Sequence, residues 1–204
     1  MQTEKIIEYI SRGRTDFIFE LIKVPGWKEL LHEGQVKPLQ WLVYYNDTTA
    51  MKAVSEAGAN LSSINLDQEL GHAAFFGHWK VCDFLIHHGA NVNAKTIPGI
   101  ETAAFMRDVR TKGETPLHRA AAYADAKTIE FLINHGADKE AKDANGDSPL
   151  TWASEHLRPG TILSLLAYPP FQIGESHKIK NTSDHGNGWG NSMDWKLLGD
   201  YLPE

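Results

Sequence analysis

Ten histidines and a single cysteine, Cys82, are the residues of this 204-residue chain best suited to metal binding, acid–base work or nucleophilic attack. Their spacing supports none of these. A hydrolytic zinc site places two histidines one helical turn apart with a base between them, as in His-Glu-x-x-His, and no such run occurs. His177, Asp184 and His185 gather near the C-terminus, but at no standard zinc spacing. No glycine-rich phosphate loop and no nucleophile elbow is present. The expectation is therefore a chain with no catalytic residue, no metal and no cofactor.

Aromatic residues form the more regular pattern. Tyr44-Tyr45, Phe75-Phe76, Ala122-Tyr123 and Glu155-His156 each follow, three residues on, a residue of marked character: Trp41, His72, Arg119 and Trp152. Aromatic and arginine side chains are the usual anchors of protein–protein contacts.

The elements that carry these residues repeat. Gly113-Glu114-Thr115-Pro116-Leu117-His118-Arg119-Ala120-Ala121 returns 33 residues later as Gly146-Asp147-Ser148-Pro149-Leu150-Thr151-Trp152-Ala153-Ser154. Ala57-Gly58-Ala59-Asn60, His88-Gly89-Ala90-Asn91 and His135-Gly136-Ala137-Asp138 mark a second recurring point, with a glycine that can end a helix in the left-handed conformation. Proline at Pro116 and Pro149 fits the first turn of a helix, and Thr115 or Ser148 before it can cap. Ile129, Leu132 and Ile133 keep helical spacing in a second helix. A period of this length predicts stacked two-helix units, because neither helix can bury its apolar face alone.

Thr115-Pro116-Leu117-His118-Arg119-Ala120-Ala121 followed by Phe131-Leu132-Ile133-Asn134-His135-Gly136-Ala137-Asp138 resembles the ankyrin repeat. The resemblance implies an all-α solenoid of about five helix-turn-helix units at about 1–34, 35–66, 67–95, 111–143 and 144–170. Together they form one repeat domain over 1–170. The first unit keeps the two-helix pattern in Ile6, Ile7, Ile10, Phe17, Ile18, Leu21 and Ile22 without the signature. The third departs, with Gln68-Glu69-Leu70-Gly71 in place of Thr-Pro-Leu-His, and the last has Pro169-Pro170 where the glycine belongs. The resemblance gives His118 a structural role at the turn, puts His78 at the family's Gly-His position, and makes Cys82 a core residue aligned with Met51, Ile129 and Ile162. His87, His88 and His135 fall in last turns, where imidazole suits the negative helix end.

Residues 96–110 are extra and fall where an ankyrin finger hairpin would be. Their apolar members Ile97, Ile100, Phe105 and Met106 either dock on the repeats or meet a partner. The tail, 171–204, does not repeat. Its polar, glycine-rich stretch 181–191 reads as a mobile loop, and 193–202 as a short helix covering the end of the stack, or else a linear motif.

In an ankyrin stack the ends of the first helices line the concave face. The resemblance therefore implies a partner-binding surface of Trp41, Tyr44, Tyr45, His72, Phe75, Phe76, Arg119, Tyr123, Trp152 and His156, with Lys112, Glu114, Asn145 and Asp147 as a polar rim. The function implied is a scaffold holding another protein. A pocket under the insertion, lined by His72, Arg107 or Arg119, would instead favour a small-ligand binder or enzyme. An inhibitor of a basic partner is a third reading. Net charge of −6 and a pI near 5.9 oppose general nucleic-acid binding. No apolar run reaches the roughly 18 residues of a membrane span. The lone cysteine and the acids in residues 1–8 point to the cytoplasm, with export as an effector left open, and capped ends point to a monomer.

Overall fold

The computed structural model describes residues 3–31, 37–61, 64–99, 111–169 and 171. These form eleven α-helices and one 3₁₀ turn. In chain order they are α1 (Thr3–Ser11), the 3₁₀ turn Thr15–Phe17, α2 (Ile18–Leu21), α3 (Trp27–Leu30), α4 (Pro38–Tyr44), α5 (Thr48–Glu56), α6 (Leu66–Phe75), α7 (Trp79–His87), α8 (Pro116–Tyr123), α9 (Ala126–Asn134), α10 (Pro149–Glu155) and α11 (Gly160–Leu166). Among the described residues the only β pairing is an isolated bridge between Tyr168 and Phe171.

Sequence sets the ends of these helices. Proline opens α4, α8 and α10 at the position that needs no N–H. Asp47, Asn65, Asp125 and Ser148 accept backbone N–H groups at the starts of α5, α6, α9 and α10. At α8 the bond runs the other way, and the Thr115 N–H donates to His118 Nδ1 at 3.2 Å. Gly58, Gly89 and Gly136 all take positive φ just past their helices. α6 starts a turn earlier than its counterparts, because unit three has Glu69 where they have proline.

The helices stack in two rows. α1, α4, α6, α8 and α10 contact in succession, and so do α2, α5, α7, α9 and α11. Between the rows lies one continuous core that includes Leu39, Leu70 and Leu117 of the Pro-Leu position and Met51, Cys82, Ile129 and Ile162 of the second helices. Cys82 is fully enclosed, and burial pushes its thiol pKa up. The N-terminal segment differs from a simple helix pair. Pro25 follows α2 and Gly26 takes φ 75°, so a separate turn, α3, forms after the second helix.

Side chains tie each pair to the one before. His78 Nδ1 donates to the Val43 carbonyl at 3.0 Å, Thr128 Oγ1 to Gly77 at 2.9 Å, and the Arg158 guanidinium to Ala121 and Ala124. His118 does the same forward. Its Nδ1 accepts from Thr115, so Nε2 carries the proton and donates to the Asp147 carbonyl of the next finger at 3.0 Å. Burial lowers the pKa of both His78 and His118, against the opposing pull of the carbonyls. An unfolded histidine takes its proton near pH 6.5, whereas these two take theirs only at lower pH. The unfolded state therefore holds more protons in that window, and stability present above pH 6.5 is lost as pH falls. Gln40 occupies the position of His118 in α4 and accepts the Lys37 N–H in the same way. His118→Gln is therefore expected to fold normally at pH 7.5 and to lose less stability than the wild type between pH 7.5 and 5.5. Urea titrations at three pH values measure this; identical pH slopes would refute it.

The flanks of the insertion pair with each other. The Thr96 N–H donates to Glu114 O, Gly99 N–H to Thr111 O, and the Thr111 hydroxyl to the Ile97 carbonyl. Ile97 is exposed. Residues 100–110, with Ile100, Phe105, Met106 and Arg107, lie outside the described residues. So do the tail positions 172–204, including His177, Asp184, His185 and the stretch expected to cap the stack.

Candidate partner-binding face

The first helices end with their aromatic residues on one side, and the rings meet across successive helices. Tyr44 of α4 approaches Phe76, which follows α6, at 5.2 Å between centroids, edge to face. Phe76 meets Phe75 at 5.1 Å, and Phe75 reaches Tyr123 of α8 at 4.5 Å. Tyr123 meets His156, just past α10, at 4.8 Å. At one end Trp41 stacks on Tyr45, and at the other Trp152 lies 6.2 Å from His156. The result is a ribbon of rings crossing four helix pairs, held by contacts of the kind aromatic pairs prefer.

Hydrogen bonds set its shape. Tyr45 Oη donates to the Ser11 carbonyl at 2.9 Å, and its ring covers Gly13. His156 Nδ1 donates to Trp152 O at 2.8 Å, so Nε2 accepts from the Tyr123 hydroxyl at 3.0 Å. The same backward bond to the carbonyl four residues earlier recurs at His87, His88 and His135, where each imidazole closes a helix end. Tyr123 is the most open ring, 54% exposed; Tyr44 and Tyr45 are also exposed, and Phe75, Phe76 and Trp41 are half-buried.

Three expected members of this face do not lie on it. His72, Arg119 and Trp152 are buried. Trp41, at the same place in α4, stays half-buried, whereas these three, each one residue after the position of His118, sit in the enclosed interior. There His72 Nδ1 lies 3.2 Å from Glu69, whose other oxygen accepts from Gln40. Trp152 Nε1 donates to Asp143 at 3.1 Å while the Lys112 ammonium sits over its ring. Arg119 Nε and Nη2 both donate to Glu114 Oε1, at 2.9 and 2.7 Å. Glu114 is thereby a buried partner and not a rim residue, whereas Lys112 and Asn145 are exposed. Burial alone would raise the Glu114 pKa. The Arg119 charge outweighs it, with bonds from the Thr96 hydroxyl and the Lys112 N–H, and holds the carboxyl below its ordinary range.

A family model for ankyrin repeats in three copies matches residues 100–176, and a single ankyrin-repeat model matches residues 70–97, together just over half of the chain. The chain belongs to the ankyrin repeat family. No curated protein matches it. Ankyrin repeats are generally protein–protein interaction modules, and ankyrin-repeat proteins are typically scaffolds without enzymatic activity. Among the described residues no helix is long and apolar enough to cross a membrane. The signal missed in the sequence was the pair Glu114–Arg119. The two residues are five apart, a spacing that shows no helical face, and they meet only because Glu114 precedes the helix on which Arg119 sits.

Proposed function

We propose that this ankyrin stack of five units holds a protein partner along the aromatic ribbon, with Trp41, Tyr44, Tyr45, Phe75, Phe76, Tyr123 and His156 as the contact surface. The observation that carries the reading is the ring-to-ring continuity from α4 to α10. Single exposed aromatics are ordinary, but a connected row across four pairs presents the contiguous apolar strip on which interface hot spots are built. The hydroxyls of Tyr45 and Tyr123 are already committed within the chain, so these rings offer faces and edges more than hydrogen bonds.

The test begins with affinity purification, followed by titration of the identified partner against the purified chain. Tyr44→Ala with Tyr123→Ala removes two exposed rings and no bond to the backbone of α1. This double variant is expected to bind at least about tenfold more weakly, as hot-spot truncations do. Its melting temperature should stay within a few degrees of the wild type. Unchanged affinity would place the interface elsewhere.

One observation also favours a small-ligand reading. A cavity of about 320 Å³ opens at the base of the insertion, with Arg119 in its wall. That is the lower end of the size range of ligand pockets. His72 does not line it.

A further inference from the structure

The aromatic ribbon ends beside a residue that its backbone does not favour. Leu157 follows His156, the last ring, and takes φ 53°. Asn46 and Gly77 hold the same left-handed conformation directly after Tyr45 and Phe76, at 58° and 73°. Asparagine and glycine adopt it readily, whereas a leucine is strained there. Burial does not offset the strain, because Leu157 is 42% exposed. A strained, exposed leucine at the end of a row of exposed rings extends the apolar strip toward the C-terminal end of the stack.

The chain carries a segment of matching chemistry within reach. Residues 193–202 include Met193, Trp195, Leu197, Leu198, Tyr201 and Leu202. Trp195, Leu198 and Leu202 fall at i, i+3 and i+7, one stripe of a helix. A helix of ten residues is marginal in water and gains its stability from the surface it covers. The described chain ends at Phe171, whose carbonyl accepts the Tyr168 N–H, and Lys142 of the finger before α10 donates to the Tyr168 hydroxyl at 3.1 Å. The tail therefore starts at the finger end of α10, and His156 and Leu157 follow its other end. α10 has seven residues and is about 10 Å long; Tyr123 lies on the next first helix, about 8–10 Å across. The span is of order 20 Å. The intervening 21 residues, 172–192, are mostly polar with four glycines, and a linker of that kind has a root-mean-square reach of about 25 Å. A tether whose reach matches its span gives an effective concentration in the millimolar range.

The end of the stack has less to cover. Leu163 and Leu166 of α11 are fully buried without the tail, and Lys139 donates to the Ala167 carbonyl that closes the helix. Beyond Leu157, Phe171 is the one exposed large apolar side chain among the described residues. We infer that residues 193–202 dock on the C-terminal half of the ribbon, with Trp195, Leu198 and Leu202 against Tyr123, His156 and Leu157. The contact is autoinhibitory. A protein on the ribbon has to displace the tail, so its apparent affinity falls by the fraction of chains left open. The inference takes the ribbon as a contact surface, as the proposed function does, but its probe is the tail itself.

Paramagnetic broadening in amide NMR of the full chain tests it. Gly199→Cys carries a nitroxide, and Cys82 is fully buried, so the label goes to position 199 alone. The amides of Tyr123, His156 and Leu157 are expected to lose most of their intensity, and those of α2 and α5 to keep theirs. Trp195→Ala with Leu198→Ala leaves the tether intact and should reduce the broadening several-fold. Tyr123→Ala with Leu157→Asn should do the same from the other side, since asparagine keeps the turn that Asn46 makes. Broadening confined to α11 and Phe171 would mean that the tail covers the end of the stack, and broadening lost on tenfold dilution that it reaches a second copy. Either result overturns the inference, as does equal broadening in both double variants or none in the labelled chain. Tail docking with unchanged partner affinity in Tyr44→Ala, Tyr123→Ala would sink the proposed function alone; weakened partner binding without broadening would sink this inference alone.

Discussion

Arg119→Met is expected to destabilise the protein by about 3–5 kcal/mol at neutral pH, the cost of leaving one member of a buried ion pair without its partner. Arg119 and Glu114 are 2% and 1% exposed, so water cannot replace the lost guanidinium. The methionine keeps much of the arginine stem, which confines the change to the charge. Glu114 would keep its bonds from Thr96 and Lys112, but its oxygen Oε1 would lose both donors. The deficit should shrink as pH falls. In the wild type Glu114 is held below its ordinary pKa, so the pair adds stability that is present above about pH 4.5 and lost below it. In the variant the same carboxyl is raised by burial and protonates sooner. Arg119→Met with Glu114→Gln should recover most of the loss, because no charge is then stranded. Chemical denaturation at pH 7 and pH 4.5 reads all of this. A loss under about 1 kcal/mol for the single variant is what a solvent-screened rim pair would give, and would contradict the buried geometry.

Leu132→Ala is expected to cost about 2–5 kcal/mol, the range for truncating a fully buried leucine. Leu132 is 0% exposed on α9, which packs against α7, α8 and α11. No side chain other than those in the core can fill the void. Domain stability is about 5–15 kcal/mol in total, so the loss is a large share. The urea midpoint should fall with the slope retained if the stack unfolds as one. A change below about 1 kcal/mol would mean the leucine is not part of the continuous core.

Much of this was legible in the sequence, because local rules decide helix ends. The glycines after α5, α7 and α9 and the prolines that open α8 and α10 mark features that depend only on neighbours in the chain. The family, and with it the two-row stack, followed from those marks. Burial at the inner surface was less legible. A position one step from the motif histidine reads as outward on a helical projection, yet the finger of the same unit folds over it and buries Arg119 and Trp152. That cover depends on how far α6, α8 and α10 lie apart, which no spacing in one unit encodes. The cavity was invisible for a similar reason. Gly71 looked like a lapse in the motif, and only the fold shows that it joins Glu114 and Arg119 in the wall of that cavity.

The two-row arrangement also bears on how the chain folds. Each helix finds its main partners in its own pair or the adjacent one, so no contact has to wait for distant segments to meet. Such a topology has low contact order and can start from any well-formed pair. The pairs α4–α5, α6–α7 and α8–α9 all touch neighbours on both sides, and α6–α7 and α8–α9, whose first helices pack extensively on each other, are the natural nucleus. The short α2 and α3 are covered from fewer directions. Amide exchange should therefore be slowest along α6 to α9 and quicken toward the N-terminal turns, a gradient of protection written along the chain itself.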